Sequence, residues 1–265
     1  MRLDRPGLLF ALIGLAGLLR PFAEFKPNRI LPGEGLSLAG ALPLGMALTV
    51  VLAVAFLSGT LGLPSVLRLL AAAAGLLAAV LALGAAAGHL TPEGDTLARV
   101  SPASGFWLLM LALVLMLADA VARLRPGLAL RWLLLALAVA AVAAVLASGA
   151  LDQVSIMREY AVRRALFLRE ARAHLILAFG SLGLALLIGL PVGVLLYQAR
   201  RLRGPVLSVL NILQTIPSLA LFGIMIPIFS WIAATVPGAA QAGVSGIGVF
   251  PALVALFLYS LLPVV

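Results

Sequence analysis

What most constrains this chain is the recurrence of long apolar runs between short charged or Gly/Pro-rich breaks. The runs occupy residues 8–19, 41–63, 66–87, 105–122, 131–149, 174–197, 205–233 and 249–265. A bilayer's hydrocarbon core is about 30 Å thick, and a helix needs roughly 20 apolar residues to cross it. Backbone groups in lipid must be satisfied inside each span, so helices are expected. The strict alternation that marks a barrel strand is missing. Composition agrees: 64% of the 265 residues are hydrophobic and 10% are charged, with a mean hydropathy of +1.22. Soluble domains are roughly 45–50% apolar and about 25% charged. The expected fold class is all-α, a polytopic membrane protein of about eight transmembrane helices. Soluble enzymes, disordered chains and nucleic-acid-binding domains are excluded together. The first run follows Arg2 and Arg5 as a signal peptide would, but Arg20-Pro21-Phe22-Ala23-Glu24 lacks a small-x-small cleavage pattern, so it reads as a retained helix.

The net charge of +9 comes from arginines and a single lysine, Lys26, spread through short segments beside the apolar runs. There they orient spans by the positive-inside effect. With a cytoplasmic N-terminus, Arg2, Arg5, Arg68, Arg123, Arg125, Arg131, Arg200, Arg201 and Arg203 fall inside. Arg20, Lys26, Arg29, Arg99, Arg158, Arg163, Arg164, Arg169 and Arg172 fall outside, so the two sides balance. The last five lie in segment 152–172, which reads as an element of its own. Val154, Met157, Ala161, Ala165 and Leu168 recur there at helical spacing, and Glu159 precedes Arg163 by one helical turn. The segment is either a docking site for a soluble partner or a solvated connector. With those five set aside, and with Arg200, Arg201 and Arg203 crowding a 199–204 hinge, the N-terminus and the hinge are expected on the cytoplasmic side.

Chemistry-bearing residues are sparse. Asp119 stands one turn before Arg123, as an interfacial ion pair would; His174 is expected to open the sixth helix and His89 to lie in a loop. Two isolated histidines and no Cys argue against a metal site, and no cofactor is expected. There is no G-x-x-x-x-G-K-[ST] loop for ATP, and Ile247 spoils a G-x-S-x-G elbow at Gly243. Trp107, Trp132, Tyr197 and Trp231 stand near span ends as interfacial anchors do, with Tyr259 the exception. Gly189–Gly193 and Gly84–Gly88 match GxxxG, a sign of close helix packing.

The seventh run carries the strongest polar signal. Ser208, Asn211, Gln214, Thr215 and Ser218 recur at helical steps and so share one face. Pro217 removes a donor and is expected to free the Leu213 carbonyl. Pro191, Pro217 and Pro227 are candidates for helix breaking or gating. The polar stripe either lines a translocation pathway for a polar solute or hydrogen-bonds across a helix–helix contact.

At Asn211-Ile212-Leu213-Gln214-Thr215-Ile216-Pro217-Ser218-Leu219-Ala220-Leu221-Phe222-Gly223 the sequence resembles the permease subunits of osmoprotectant ABC importers, the binding-protein-dependent permease family that takes up glycine betaine, choline and related quaternary amines. The stretch from Pro251 to Pro263, and Gly189-Leu190-Pro191-Val192-Gly193 before the Arg-rich hinge, carry the same likeness. Pro27-Asn28-Arg29, Gly33-Glu34-Gly35, Ser104-Gly105-Phe106-Trp107, Arg131-Trp132-Leu133-Leu134 and Glu159-Tyr160-Ala161 resemble a longer, Yeh-type form with extra N-terminal helices. The resemblance implies three parts: a five-helix extension at 1–151, an amphipathic connector at 152–173, and from 174 to 265 the first three helices of a type I ABC permease core. It implies a translocation subunit rather than an enzyme, in a bacterial inner membrane. Its partners would be cytoplasmic ATPase subunits, a second permease and a periplasmic or extracellular solute-binding protein, whose aromatic cage would recognise the quaternary ammonium. The family pattern continues past Val265 with a cytoplasmic loop bearing the EAA motif that grips the ATPase, so the chain is expected to be a fragment or a truncated product. An ion-coupled secondary transporter would instead need an intramembrane carboxylate or cation site. A membrane enzyme would need a catalytic constellation, and neither feature is evident.

The charge pattern fixes a topology that fusions can check. A cytoplasmic reporter fused after Arg203 is expected to be active, and a periplasmic reporter within 152–172 likewise. Activity of a periplasmic reporter after Arg203 reverses the assignment.

Overall fold

The computed structural model describes residues 4–265, so Arg2 of the orientation argument lies outside the described residues. Ten helices and three short strands follow in order: α1 (Arg5–Leu18), β1 (Ala23–Lys26), β2 (Glu34–Leu36), α2 (Leu38–Ala41), α3 (Gly45–Gly59), α4 (Ser65–Leu90), β3 (Arg99–Pro102), α5 (Ser104–Leu124), α6 (Leu128–Ala147), α7 (Ser155–Gln198), α8 (Arg200–Thr215), α9 (Ser218–Thr235) and α10 (Val249–Val264). Five of them, α4, α5, α6, α7 and α9, are long and apolar enough to cross a membrane; α1, α3 and α10 are shorter apolar helices. The protein is an all-helical, multi-pass membrane protein. The chain divides between Val162 and Arg163 into two compact units. Residues 152–173 straddle that division.

The first unit is built on a seam of small residues. Gly7, Ala11, Gly14 and Gly17 are the buried residues of α1, all near one face. A Cβ on Gly7 would lie 2.2 Å from the Gly59 carbonyl oxygen, and one on Gly14 would lie 2.5 Å from the Phe56 ring. One on Gly17 would come within 3.0 Å of Leu108 on α5. Lipid tails are as apolar as leucine, so helices in a membrane associate through such close van der Waals approach. The seam seats α1 against α3 and α5, and α4 packs on α5, where Leu113 fills the space beside Gly75. α6 has no buried residue.

An unexpected element is a small antiparallel sheet in the order β2-β1-β3. Ala23 pairs with Leu36 and Pro102, and Phe25 with Glu34 and Val100. Strands of three or four residues are too short to show a period in sequence. Beneath the sheet, buried Phe22 meets Phe106 edge to face at 5.7 Å. The first turns of α7 are stapled to this sheet. The Ser155 hydroxyl donates to the Val100 carbonyl at 2.8 Å, and Arg158 donates to the carbonyls of Ala98 and Asp95. Glu159 binds Arg29 and Arg99 rather than the expected Arg163, which departs from helical geometry (φ −114°, ψ 20°). Asp95 accepts from the Ala98 and Leu97 N–H groups, which hold its carboxyl below the usual aspartate range.

At the opposite ends of the same helices lies a ring of four charges. Asp4 caps α1, accepting from the Gly7 N–H at 3.3 Å. Arg68, only 5% exposed, pairs with Asp4 and Asp119 and donates to the Leu61 carbonyl at 2.6 Å. Arg123 closes the ring, 2.7 Å from Asp119 and 3.0 Å from Asp4. The expected Asp119–Arg123 pair is therefore present, but as half of a larger structure. Arg68, counted from sequence as an exposed topological charge, is buried in the first turn of α4. Burial opposes the charge on Asp4, yet the Gly7 N–H, Arg68 and Arg123 outweigh it and hold the carboxyl below its ordinary range.

Further corrections concern helix ends. His89 lies in the last turn of α4, not in a loop, and His174 lies within α7 rather than at its start. The 199–204 hinge contracts to Ala199, and Arg200, Arg201 and Arg203 belong to α8. The seventh run, expected as one span over 205–233, is two helices broken at Ile216-Pro217. Gly84 accommodates the Ala150 carbonyl, 2.1 Å from where its Cβ would be, whereas Gly88 faces open space; this pair is not a helix–helix motif.

The ring predicts an acid-sensitive fold. A depressed aspartate contributes stability that is present above its unfolded pKa, about 3.9, and lost as pH falls through the lower folded value. Thermal unfolding of the purified chain in detergent is expected to show a decline below about pH 4, blunted in Asp4→Asn. Arg68→Leu removes one partner of buried carboxylates and is expected to cost about 3–5 kcal/mol at pH 7.

Candidate functional site

The break between α8 and α9 is where the polar residues of the second unit gather. Pro217 cannot donate, and α8 ends at Thr215 with Ile216 extended (φ −72°, ψ 125°). The Ile216 N–H turns back to the Leu213 carbonyl at 3.4 Å, so that carbonyl is not left free as expected. The group left over is the Ile216 carbonyl, which belongs to neither helix. α9 then starts with Pro217 as its cap, and the Leu221 N–H bonds the Pro217 carbonyl at 3.0 Å.

α10 satisfies the break from the side. The Tyr259 hydroxyl donates to the Ile216 carbonyl. In return the Gln214 amide donates to the Tyr259 carbonyl at 3.0 Å. That carbonyl also lacks its helical partner, because the residue four positions on is Pro263, inside α10. One carbonyl left by the helix break and one deprived by Pro263 are thus capped by two side chains reaching across the same contact. Leu221, Met225 and Ala255 form the apolar core beside it, with Ile216, Phe229, Val254 and Leu258 packed around them. Phe229 and Phe250 meet edge to face at 5.0 Å.

The structure divides the predicted stripe. Ser208, Asn211 and Thr215 remain on one exposed face of α8, and the Thr215 hydroxyl donates back to the Ile212 carbonyl at 2.7 Å. Gln214 is turned roughly 100° from Thr215 and serves the helix–helix contact. Ser218 is the first residue of α9, beyond the break, and so does not extend the stripe. Of the three prolines, only Pro217 stands at a break; α7 continues through Pro191 and α9 through Pro227. Around Pro191, Gly189 and Gly193 meet the end of α10, where added Cβ atoms would lie 2.8 Å from Val264 and 2.9 Å from the Val265 carbonyl. Tyr259 and Pro263 were missing from the sequence-derived site. The signal was available, since a proline four residues after a tyrosine leaves that tyrosine's carbonyl free.

Residues that carried the Yeh-type likeness also converge. Asn28 accepts from the Ile30 and Leu31 N–H groups at 2.9 Å, shaping the loop that brings Arg29 to Glu159. Gly105 lets the Arg20 carbonyl approach to 2.6 Å of where a Cβ would sit. Among the described residues, no group of His, Asp and Glu could hold a metal ion.

Residues 4–157, more than half of the chain, match the family described as ABC transporter permease YehY, N-terminal domain. The chain is 50% identical over 92 residues to the osmoprotectant import permease protein OsmW of Salmonella typhimurium, covering 35% of this chain and 38% of that protein. It is 33% identical over 91 residues to the choline transport system permease protein OpuBB of Bacillus subtilis, covering 34% and 35%. It is 32% identical over 91 residues to the carnitine transport permease protein OpuCB of Listeria monocytogenes, covering 34% of each. The chain thus spans little more than a third of the length of these relatives. No solved structure gives a significant match. The match over residues 4–157, more than half of the chain, shows that the protein belongs to the YehY-type ABC transporter permeases.

Proposed function

We propose that the chain is a membrane-spanning permease subunit of an ABC importer, translocating a compatible solute such as glycine betaine or another quaternary amine. The match over residues 4–157 carries the reading, and the relatives named for osmoprotectant, choline and carnitine transport support the solute class. ATP hydrolysis would sit on a separate cytoplasmic ATPase, since this sequence has no phosphate-binding loop. A second permease subunit and an external solute-binding protein would complete the assembly in the bacterial inner membrane, with the N-terminus cytoplasmic. Residues 1–151 would form the extension, 152–173 the connector and 174–265 the beginning of the translocation core. The pathway would run along the exposed face of α8, past Ser208, Asn211 and Thr215 to the break at Pro217. An ion-coupled carrier finds less support. Its natural carboxylate, Asp119, is committed to Arg68 and Arg123.

Two experiments test this. Deleting the chain's gene is expected to abolish binding-protein-dependent uptake of labelled betaine or choline, and the chain extended by the family's downstream EAA-bearing segment is expected to co-purify with an ATPase subunit. Unchanged uptake and no associated ATPase would refute the reading. The second uses the absence of native cysteine. In the assembled importer, single Cys replacements at 208, 211 and 215 are expected to react with a small hydrophilic thiol reagent in at least one nucleotide state. Cys at 210 and 213, on the packed side of α8, should react much more slowly, because apolar surroundings keep the thiol protonated. Equal labelling of both faces would remove the pathway from α8.

A further inference from the structure

We infer that Tyr259 and Gln214 form a paired latch that sets the angle between α8 and α9, and that Tyr259 is a positioning residue for solute passage. The consequence for transport rests on the permease reading above; the latch itself rests on geometry alone.

Three observations combine. First, the α8–α9 junction has no continuous backbone ladder: α8 closes on the Ile216 N–H, and α9 opens on the Pro217 carbonyl. The intervening Ile216 carbonyl is left to a side chain, the Tyr259 hydroxyl. Second, the return bond from Gln214 goes to the carbonyl that Pro263 leaves without its helical donor. A carbonyl without a partner is costly in the apolar medium of a bilayer, so each donor is held by what it satisfies. Third, the donors are side chains with rotatable bonds, unlike a backbone ladder. Rotation of Tyr259 or Gln214 releases the junction without unwinding either helix. The junction is thus two helices joined through two extended residues, Ile216 and Pro217, and clamped by two neutral hydrogen bonds to α10. Each bond is worth enough to favour one angle and little enough to give way, the property required of a bistable element. Because Asn211 and Thr215 lie on α8 just before the junction, a change of angle there would re-aim the polar face proposed for the solute.

The prolines make the test specific. Spin labels at Val209→Cys and Ile228→Cys, both exposed positions on α8 and α9, report the angle as a distance distribution in the full chain reconstituted in lipid. No native thiol competes. The parent is expected to show one dominant distance. Tyr259→Phe and Gln214→Leu are each expected to raise a second population by about three- to tenfold, the factor that one neutral hydrogen bond supports. Pro263→Ala returns an N–H to the Tyr259 carbonyl, so in that background Gln214→Leu is expected to be silent. A general packing role for Gln214 would give the same effect in both backgrounds, and that result would overturn the latch. An unchanged distribution in Tyr259→Phe/Gln214→Leu would overturn it as well. In the assembled importer, Tyr259→Phe is expected to change the uptake rate while membrane abundance and binding-protein docking stay the same. Label distances that respond as described, while deletion of the gene leaves uptake unchanged, would leave the latch standing and refute the permease reading. Normal uptake with unresponsive distances would do the reverse.

Discussion

The constraint that organises this protein is that a carbonyl or amide in lipid has no water to fall back on. Regular helices meet it internally, which is why most of the chain is helical. Where the helix fails, a replacement must come from elsewhere in the fold, and the break at Pro217 shows how. The Leu213 carbonyl is taken by the chain's own returning N–H at Ile216, and the Ile216 carbonyl by a tyrosine hydroxyl from α10. That tyrosine's own carbonyl, exposed by Pro263, is met in turn by Gln214. Polar side chains in the second unit are therefore not scattered decoration. Some balance the backbone, as Gln214 and Tyr259 do, whereas Ser208 and Asn211 stand on the exposed face of α8.

The first unit solves a related problem for charge. Ionised groups are expensive at membrane depth and tolerable at helix ends. Asp4, Arg68, Asp119 and Arg123 meet where α1 begins, α3 ends, α4 begins and α5 ends. Glu159, Arg29 and Arg99 do so beside the sheet at the other ends. Between the two rings the contacts are glycine, alanine and leucine. The result is a bundle fixed at both ends by ion pairs and in the middle by close approach.

How much of this was legible depended on the distance over which the signal acts. Apolar runs announce helices locally, so the eight apolar helices were visible. The i,i+4 spacing made the Asp119–Arg123 pair visible too. Arg68 reads as one more cytoplasmic-side topological charge because its carboxylate partners stand far away in sequence, at Asp4 and Asp119. The connector's Glu159 looks paired with Arg163 because spacing favours it, but Arg29 and Arg99 win once the loop shaped by Asn28 folds over. The seventh run was read as one helix because hydropathy does not register a missing N–H.

Sequence alone therefore determined the class of this protein: its solvent is lipid, its elements are helices, and its motifs belong to a permease. These follow from composition and short-range periodicity, which the bilayer enforces whatever the tertiary arrangement. Only the tertiary structure decided which polar groups are spent on holding the fold and which remain available. That choice turns on whether a given carbonyl or carboxylate finds its partner from another helix, and neither α10 nor α4 can be brought to its partner by spacing along the chain.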